Sequence, residues 1–459
     1  MPFRASVPPI LREMQALRAL GVWRLMLQAL VTGGITGAVI GLFRQAYTLI
    51  NAAVVDYLHG HSLSDPLVGA SIFIALILLG LLAWQLLRHE PLISGSGIPQ
   101  VELTVAGHLP MRWVTVIWAK FAGTLISLTG GLSVGREGPC IQMGAAVGCG
   151  VGRIWHDDKA QTMPRYLIGG SVAGLTAAFG APAAGLCFAF EEMKTVISGP
   201  MLLFTALAAA SAWFVIEVLF GFGRVFPFQN TDTLSLLQWW IVPLLGGMAG
   251  MLGAVYNAVL IRLTHWADRS PLMPQPVRVL APFLISGLLL YCYPQVLVGF
   301  GVSALDLENP ALPLGALLLL LAVKILFSCV SFASGVAGGL LMPMLLGGAL
   351  AGGCAASALL SLDCIGPDQT ATLLILCMAG LFASTVRAPL TGAALLVEMT
   401  GSLHNAPAII VTAYLAALTA NCLESPPVYD SLKQRAVDQE KARQALIRPQ
   451  HRQPHHSPL

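Results

Sequence analysis

Long stretches without a charged residue dominate the pattern of this chain. Residues 66–87 carry no charge over 22 positions, residues 233–261 none over 29, and residues 325–362 none over 38. About 20 apolar residues are enough for an α-helix to cross the hydrocarbon core of a bilayer. Each stretch therefore predicts at least one spanning helix. The third is too long and too rich in glycine for one helix, so we expect two or more broken segments there.

Basic residues mark both ends of the chain. A first apolar run, residues 26–43, follows Arg4, Arg12, Arg18 and Arg24 without a small-residue cleavage site. We therefore expect a retained first helix and a cytoplasmic N-terminus, because basic flanks stay on the cytoplasmic side. The C-terminal tail is also basic and is expected on the same side: Lys433, Arg435, Lys441, Arg443, Arg448 and Arg452.

Composition supports a membrane protein. Of 459 residues, 56% are hydrophobic and 10% are charged, and the mean hydropathy is +0.76; soluble domains have about 25% charged residues. Membrane β-barrels alternate polar and apolar positions and lack such long apolar runs. The fold class predicted is therefore an all-α polytopic membrane protein. The net charge of +3 gives no support for nucleic-acid binding, and nine cysteines without a CxxC pair read as small apolar residues rather than as metal ligands.

The chain contains an internal duplication. Five glycine and proline positions recur 204 residues later: Gly131, Gly135, Pro139, Gly144 and Gly148 correspond to Gly335, Gly339, Pro343, Gly348 and Gly352. A second match, at an offset of 207, pairs Pro182, Gly185 and Glu191 with Pro389, Gly392 and Glu398. Duplicated halves with interrupted helices are typical of transporters, whose sites lie at the repeat interface near the midplane.

The duplication divides the chain into four parts. We predict a cytoplasmic N-terminal segment at 1–24, transmembrane repeats at 25–225 and 235–425, and a cytoplasmic C-terminal helix with a disordered tail at 426–459. An inverted repeat is favoured over a parallel one.

Three segments share one construction, in which glycines precede a proline and an apolar helix. They are residues 94–99, 135–139 and 338–343. A helix N-terminus offers free N–H groups and about half a positive charge, so three converging starts would hold an anion without a full countercharge. The alternative is that they are ordinary Gly/Pro breaks in membrane helices. Glu137 lies in the second segment, where a carboxylate at bilayer depth costs about 3 kcal/mol and usually serves transport.

These motifs match a known family. GSGIPQ at 95–100, GREGPxxQxG at 135–144, the Ala-Pro/Glu-Glu stretch at 181–192 and GGxxxP at 338–343 together resemble the CLC chloride channels and transporters. The resemblance covers residues 25 to 440. It implies a CLC-like fold of inverted repeats and a homodimer with one pathway per subunit. Our candidates for the subunit interface are residues 195–219 and 408–423.

The resemblance also implies the residues that bind chloride. Ser96 and Tyr429 match the two hydroxyl ligands of the central chloride. Backbone N–H groups of the two opposed helix starts would complete the anion sites: Leu340, Leu341, Arg136, Glu137 and Gly138. The family usually has an aromatic residue at position 341 and often a proline at Ala337, so selectivity or coupling could be looser here. Ser96 favours chloride over nitrate, because nitrate-preferring relatives carry proline there, and fluoride exporters carry methionine.

Three carboxylates receive separate interpretations. Glu137 matches the gating glutamate, which mimics chloride in the anion site and leaves it when protonated. The duplication pairs Glu191 with Glu398, which suggests a shared structural role such as accepting N–H bonds from a helix. Glu192 has no counterpart in the second half, and it matches the internal proton-transfer glutamate of CLC exchangers. The alternative for Glu192 is a carboxylate that reaches the cytoplasmic interface near Lys194.

The leading functional hypothesis is a chloride/proton antiporter of a bacterial inner membrane that needs no cofactor. A passive channel of the same voltage-gated type is the alternative, and it holds if Glu192 carries no protons. An intramembrane enzyme is disfavoured, because the histidines lie mainly in loops and in the tail and HExxH is absent. A scaffold is disfavoured, because it would not need three Gly-Pro helix starts and Glu137. Four basic residues within apolar segments are expected to pair with buried carboxylates or helix C-termini, with direct anion binding as the alternative: Lys120, Arg136, Lys324 and Arg387.

Overall fold

The computed structural model describes residues 21–194, 198–229, 231–297, 304–307 and 312–447, and for 439–447 only the backbone. Interpretations that concern residues 1–20 and 448–459, including most of the basic N-terminus and the C-terminal tail, lie outside these residues.

The described residues of the first half of the chain form eight α-helices. They are α1 (Val22–Gly60), α2 (Pro66–His89), α3 (Ile98–Val105), α4 (Trp113–Thr129), α5 (Glu137–Ile154), α6 (Met163–Phe179), α7 (Pro182–Glu191) and α8 (Gly199–Val215). A single π-turn, Ile216–Phe220, extends α8.

The second half repeats this order. It contains α9 (Ile241–Arg269), α10 (Gln275–Cys292), α11 (Leu314–Ala333), α12 (Leu341–Ser361), α13 (Thr370–Val386), α14 (Pro389–Thr400) and α15 (Ala406–Cys422). A last helix, α16 (Val428–Ile447), has no equivalent among the described residues of the first half. Among the described residues, nine helices are long and apolar enough to cross a membrane. The protein is a multi-pass membrane protein, as its composition predicted.

The hydrophobic pattern located most spans and misplaced one boundary. Residues 66–87 form α2, and the stretch 325–362 is broken between Ala333 and Leu341, as expected. The first run was predicted to end at Phe43, before a charged residue. Instead α1 continues through Arg44 to Gly60, because the Arg44 guanidinium donates to the Ala177 carbonyl 3.0 Å away and is not left bare in the bilayer.

The two halves are related by a pseudo-two-fold axis. Gly135 and Gly339, which are equivalent in the duplication, exchange two backbone hydrogen bonds of 2.7 Å each. The equivalent helices α7 and α14 pack antiparallel, since residues near the C-terminal end of each contact the first turn of the other. Equivalent helices that run in opposite directions along the membrane normal can be related by a two-fold axis only if that axis lies in the membrane plane. The repeat is therefore inverted, as predicted.

Glutamates at the ends of α7 and α14 complete this symmetric contact. Glu191 accepts N–H bonds from Leu390 and Thr391 at 2.9 and 2.6 Å. Glu398 accepts bonds from Ala183 and Ala184 at 3.0 and 2.8 Å. Each carboxylate satisfies orphan donors in the first turn of the opposite helix, where the dipole also favours negative charge. The role inferred from the duplication is confirmed.

Helices α5 and α6 pack antiparallel with their backbones almost in contact. A Cβ at Gly144 would strike the Gly170 carbonyl, a Cβ at Gly148 would strike that of Tyr166, and one at Gly174 would strike that of Cys140. The residue of α6 that opposes α5 therefore moves back by four positions for every four positions forward along α5. This close approach fixes the height of the first turn of α5 inside the protein.

Candidate functional site for anions and protons

Three segments of broken helix meet at the centre of the molecule. Gly95 N–H donates to the Val336 carbonyl at 3.1 Å, and Gly338 N–H donates back to the Gly95 carbonyl at 3.1 Å. The bonds between Gly135 and Gly339 join the other two segments. The starts of α3, α5 and α12 thus lie around one buried point, as the repeated glycine-proline construction predicted.

Glu137 lies at the contact between the starts of α5 and α12. The residue is fully buried, and its Oε1 accepts a hydrogen bond from the Met342 N–H at 2.9 Å. Its Oε2 has no partner among the described residues. A Cβ at Gly135 or at Gly339 would collide with this carboxylate, so only glycine leaves room for it. A negative group therefore occupies the position where free N–H groups of both repeats converge.

Two hydroxyls lie beside this point. The Tyr429 hydroxyl lies close to the Ser96 side chain, and both residues are buried. Ser96 Oγ also accepts the Ile98 N–H at 3.3 Å, which fixes it at the start of α3. A Cβ at Gly138 would strike the Ser96 hydroxyl, so α5 and α3 touch here. The structure thus brings together Ser96, Tyr429, Glu137 and Gly138 from three separate parts of the chain.

The remaining predicted anion ligands also lie at helix starts. Leu340 is the N-cap residue of α12 and Leu341 is its first residue, and both side chains are buried. Arg136 is the N-cap residue of α5. Their backbone N–H groups belong to the unpaired first turns of two opposed helices, which is where a small anion is stabilised.

A small cavity leads toward Ser96. Its volume is about 70 Å³, and its lining includes Ser94, Ser96, Gln100 and Arg435. Gln100 donates to the Ser94 carbonyl at 3.0 Å, so it supports the turn before α3. The cavity offers an approach to the Ser96 hydroxyl from the side that carries α16.

Glu192 lies away from this centre, at the C-terminal end of α7. It is only 6% exposed. Its charge acts on those of Glu102, Lys194 and Asp430, so it belongs to a polar group at this end of the protein. Lys194 forms an ion pair with Asp430 at 2.7 Å and both are largely exposed, in agreement with the predicted position near an interface.

Glu102 has a partner that the sequence did not indicate. Lys433 Nζ lies 2.9 Å from the buried Glu102 carboxylate, and α16 thereby contacts α3. The structure thus places the buried Glu102 carboxylate in a salt bridge.

Three of the four basic residues in apolar segments behave as expected. Lys120 donates to the carbonyls of Ile93 and Gly95, and its repeat equivalent Lys324 donates to the Val296 carbonyl at 2.6 Å. Ile93 and Val296 each end a short 3₁₀ turn. Arg387 donates to the Ser425 carbonyl at 2.7 Å, just past α15.

Arg136 contradicts the expectation. It forms no ion pair within the described part of the chain, and its Nε is buried without a hydrogen-bond partner. Arg44, which the sequence interpretation did not single out, shows the same feature. The signal for Arg44 was available, because it is a charged residue directly after an apolar run of membrane depth.

A metal site is not apparent, since the described residues contain no group of three or more His, Cys, Asp or Glu that could hold a metal ion.

Comparison with known proteins defines the class. The family described as voltage gated chloride channel matches residues 78–421, so the chain belongs to the CLC family. Among curated relatives, the H(+)/Cl(-) exchange transporter ClcA of Vibrio cholerae is 34% identical over 439 residues, which cover 92% of each chain. ClcA of Klebsiella pneumoniae is 30% identical over 381 residues, covering 81% of this chain and 80% of its own length.

Solved structures share the fold. A slow cyanobacterial Cl-/H+ antiporter superposes with a TM-score of 0.84 at 28% identity, over 91% of this chain and 99% of its own. A CLC-type fluoride/proton antiporter, at 21% identity and a TM-score of 0.72 over 90% of this chain and 98% of its own, shows a common fold only. The resemblance seen in the motifs is confirmed, and the relatives are transporters.

Proposed function

We propose that this protein exchanges chloride for protons across a bacterial inner membrane. The observation that carries the proposal is the position of Glu137, whose carboxylate is bonded to the start of α12 at the centre of the protein. A carboxylate in a site built from helix N-termini acts as a tethered anion. Protonation removes its charge and hence its attraction to the N–H groups, so that chloride takes its place. One residue then links proton binding to chloride binding.

Glu192 is the proposed proton-transfer group on the cytoplasmic side. It is buried, yet it lies beside the exposed Lys194–Asp430 pair, which is in contact with solvent. A buried carboxylate next to solvent-exposed charges can collect protons from water and deliver them inward. The path from Glu192 to Glu137 differs from the chloride path, which we propose runs past Ser96 and Tyr429.

Reconstituted liposomes test antiport against passive conduction. Vesicles loaded with chloride are placed in low-chloride medium, and chloride efflux and external pH are recorded together. Antiport predicts uphill proton movement that is driven by the chloride gradient. Glu192→Gln should abolish proton movement while chloride still flows. Glu137→Gln should make the chloride flux independent of protons.

The control and the opposing outcome are equally specific. Asp158→Asn changes an exposed carboxylate in the loop between α5 and α6 and should leave both fluxes unchanged. Chloride efflux without any proton movement in the unaltered protein would make it a passive channel and leave Glu192 a structural residue. Absence of chloride flux with transport of nitrate or fluoride would contradict the proposed role of Ser96.

We further propose a homodimer with both termini in the cytoplasm. Support for the dimer comes from exposed aromatic and aliphatic side chains on α8 and α15: Trp213, Phe214, Tyr414 and Leu418. Light scattering of the detergent-solubilised protein should give two chains per particle, and one chain would contradict this assembly.

A green fluorescent protein fused after Leu459 should fluoresce if the C-terminus is cytoplasmic, and a dark fusion would reverse the assigned orientation.

A further inference from the structure

A buried arginine lies in the middle of α1. Arg44 is only 6% exposed. One of its terminal nitrogens donates to the Ala177 carbonyl at 3.0 Å, and its guanidinium covers the Phe222 ring with 3.9 Å between Cζ and the ring centroid. Its Nε is buried and has no hydrogen-bond partner in the described part of the chain. An unmade hydrogen bond from a buried charged group is costly, which points to a missing acceptor.

The helix register places Arg44 at the height of Glu137. Along the α5–α6 contact, Gly144 opposes Gly170, and four residues earlier Cys140 opposes Gly174. One further step brings the first turn of α5, with Glu137, opposite Ala177. Because Arg44 is bonded to the Ala177 carbonyl, its guanidinium lies level with the start of α5.

Arg136 adds a second unpaired guanidinium at this level. It directly precedes Glu137, and its Nε is also buried without a partner among the residues described. The charges of Arg44 and Arg136 act on one another, so the two side chains belong to one electrostatic group. Neither takes part in an ion pair within the described residues. The nearby carboxylate of Glu137 is bonded through Oε1 to the start of α12 instead.

Two positive charges in a low-dielectric region repel one another strongly unless an anion lies between them. Arginine N–H groups suit that role, since they hold small anions and carboxylates through charge-assisted hydrogen bonds. The two orphan donors belong to different helices, α1 and the cap of α5, so an anion held by both would also join these helices.

We propose that Arg44 and Arg136 form a chloride site next to Glu137, distinct from the site at Ser96 and Tyr429. Chloride bound there lies one step from the position that the Glu137 carboxylate vacates. The identity of the anion as chloride rests on the proposed function. The site itself rests on the buried and unpaired Nε groups of these two arginines.

Anomalous diffraction from crystals grown in bromide tests the site without any substitution. A bromide peak within hydrogen-bonding distance of Arg44 Nε and Arg136 Nε is expected. It should disappear in Arg44→Gln and persist in Arg224→Gln, which alters an exposed arginine beyond the π-turn. Absence of a peak in the unaltered protein, or the Glu137 carboxylate found between the arginines, would overturn the proposal.

Transport measurements decide whether the site serves exchange. In Arg44→Gln the half-saturating chloride concentration on the Gly60 side should rise about tenfold, as expected for loss of one charge-assisted hydrogen bond. The proton-to-chloride ratio should stay unchanged. Arg44→Lys, which keeps the charge, should recover part of the affinity.

The two proposals fail in different ways. If the bromide peak is an adventitious ion only, Arg44→Gln will abolish the peak and leave the chloride dependence of transport unchanged. This result would overturn the second chloride site and leave antiport intact. If the unaltered protein shows no coupled exchange in liposomes, the proposed function fails, whereas the bromide peak still reports on the arginine pair.

Discussion

At the scale of single residues, neighbouring glutamates have different surroundings and therefore different proposed roles. Glu191 is bonded to two N–H groups of α14 and is fixed in place. Glu192, the next residue, turns into a buried position beside Lys194 and Asp430. Both carboxylate oxygens of Glu191 are engaged in these bonds, so its side chain is held at the start of α14. The structure thus separates a capping residue from a candidate proton carrier at adjacent positions.

The Ser96 hydroxyl should matter for chloride affinity. Ser96→Ala removes a donor beside Tyr429, so we expect chloride affinity, measured by isothermal titration calorimetry, to fall about three- to tenfold. The matched control is Ser94→Ala, because Ser94 Oγ donates to the Gly335 carbonyl at 3.0 Å and supports only the turn. Equal affinity losses in the two variants would argue against direct chloride binding by Ser96.

At the scale of elements, closely packed helices and reciprocal caps set the positions of the short helices. The glycines of α5 and α6 allow backbone contact, and this contact holds the start of α5 near the centre. Helices α7 and α14 are too short to cross a bilayer alone. Their first turns are completed by carboxylates from each other. Each interrupted helix is therefore stabilised by its repeat partner.

Gly144→Ala should destabilise the protein. The added methyl group would strike the Gly170 carbonyl, and overpacking of this kind costs about 1–3 kcal/mol. A lower thermal midpoint in detergent is the expected result. Gly353→Ala in α12 is the control, since a Cβ there meets no atom within 4 Å, and it should leave the midpoint equal or higher. A midpoint unchanged by Gly144→Ala would mean that α5 and α6 are less tightly packed.

Removing a reciprocal cap should also destabilise the fold. Glu398→Ala leaves the N–H groups of Ala183 and Ala184 without their acceptor. We expect a loss of about 1–3 kcal/mol, read from thermal unfolding. Glu191→Ala should have a similar effect, because the two sites are equivalent. Asp158→Ala, at an exposed site between α5 and α6, should change stability little, and a comparable loss there would show that the effect is not specific to the cap.

At the scale of the whole molecule, α16 connects the anion site to the end that carries Glu192. Its first residues include Tyr429, which contacts Ser96, and Asp430, which pairs with Lys194. Further along, Lys433 pairs with Glu102, and Arg435 pairs with Asp268 at the end of α9. One helix outside the repeat thus contacts both halves of the protein and both proposed pathways.

The Lys433–Glu102 pair offers a test of this connection. Lys433→Met leaves the buried Glu102 carboxylate without its ion-pair partner, and we expect a loss of about 1–2 kcal/mol together with slower proton transport. Adding Glu102→Gln removes the uncompensated charge and should recover most of the stability. Thermal unfolding and liposome flux of both single variants and the double variant measure the coupling. Strictly additive effects would show that the pair contributes nothing as a unit.

The sequence by itself determined the class, several of the spans and the internal duplication of this protein, whereas the inverted orientation of the repeats was favoured by the sequence and decided by the structure. Backbone N–H and C=O groups must be bonded internally in hydrocarbon, so long apolar runs leave only helices. The duplicated glycines, prolines and glutamates fixed the equivalent helix starts, and from them the capping role of Glu191 and Glu398 followed. The apolar runs are local patterns, and the duplication repeats a local pattern, so both can be recognised without knowing which helices pack together.

The tertiary structure decided what the charged residues contact. The sequence interpretation ended the first helix before Arg44, paired Arg136 with a carboxylate or a helix end, and gave Glu102 no definite partner. The contact of Arg44 joins residues 133 positions apart, and Lys433 is still more remote from Glu102 in the chain. Such contacts depend on the angles and heights at which helices pack, which arise from many small steric fits. No single stretch of sequence contains that information.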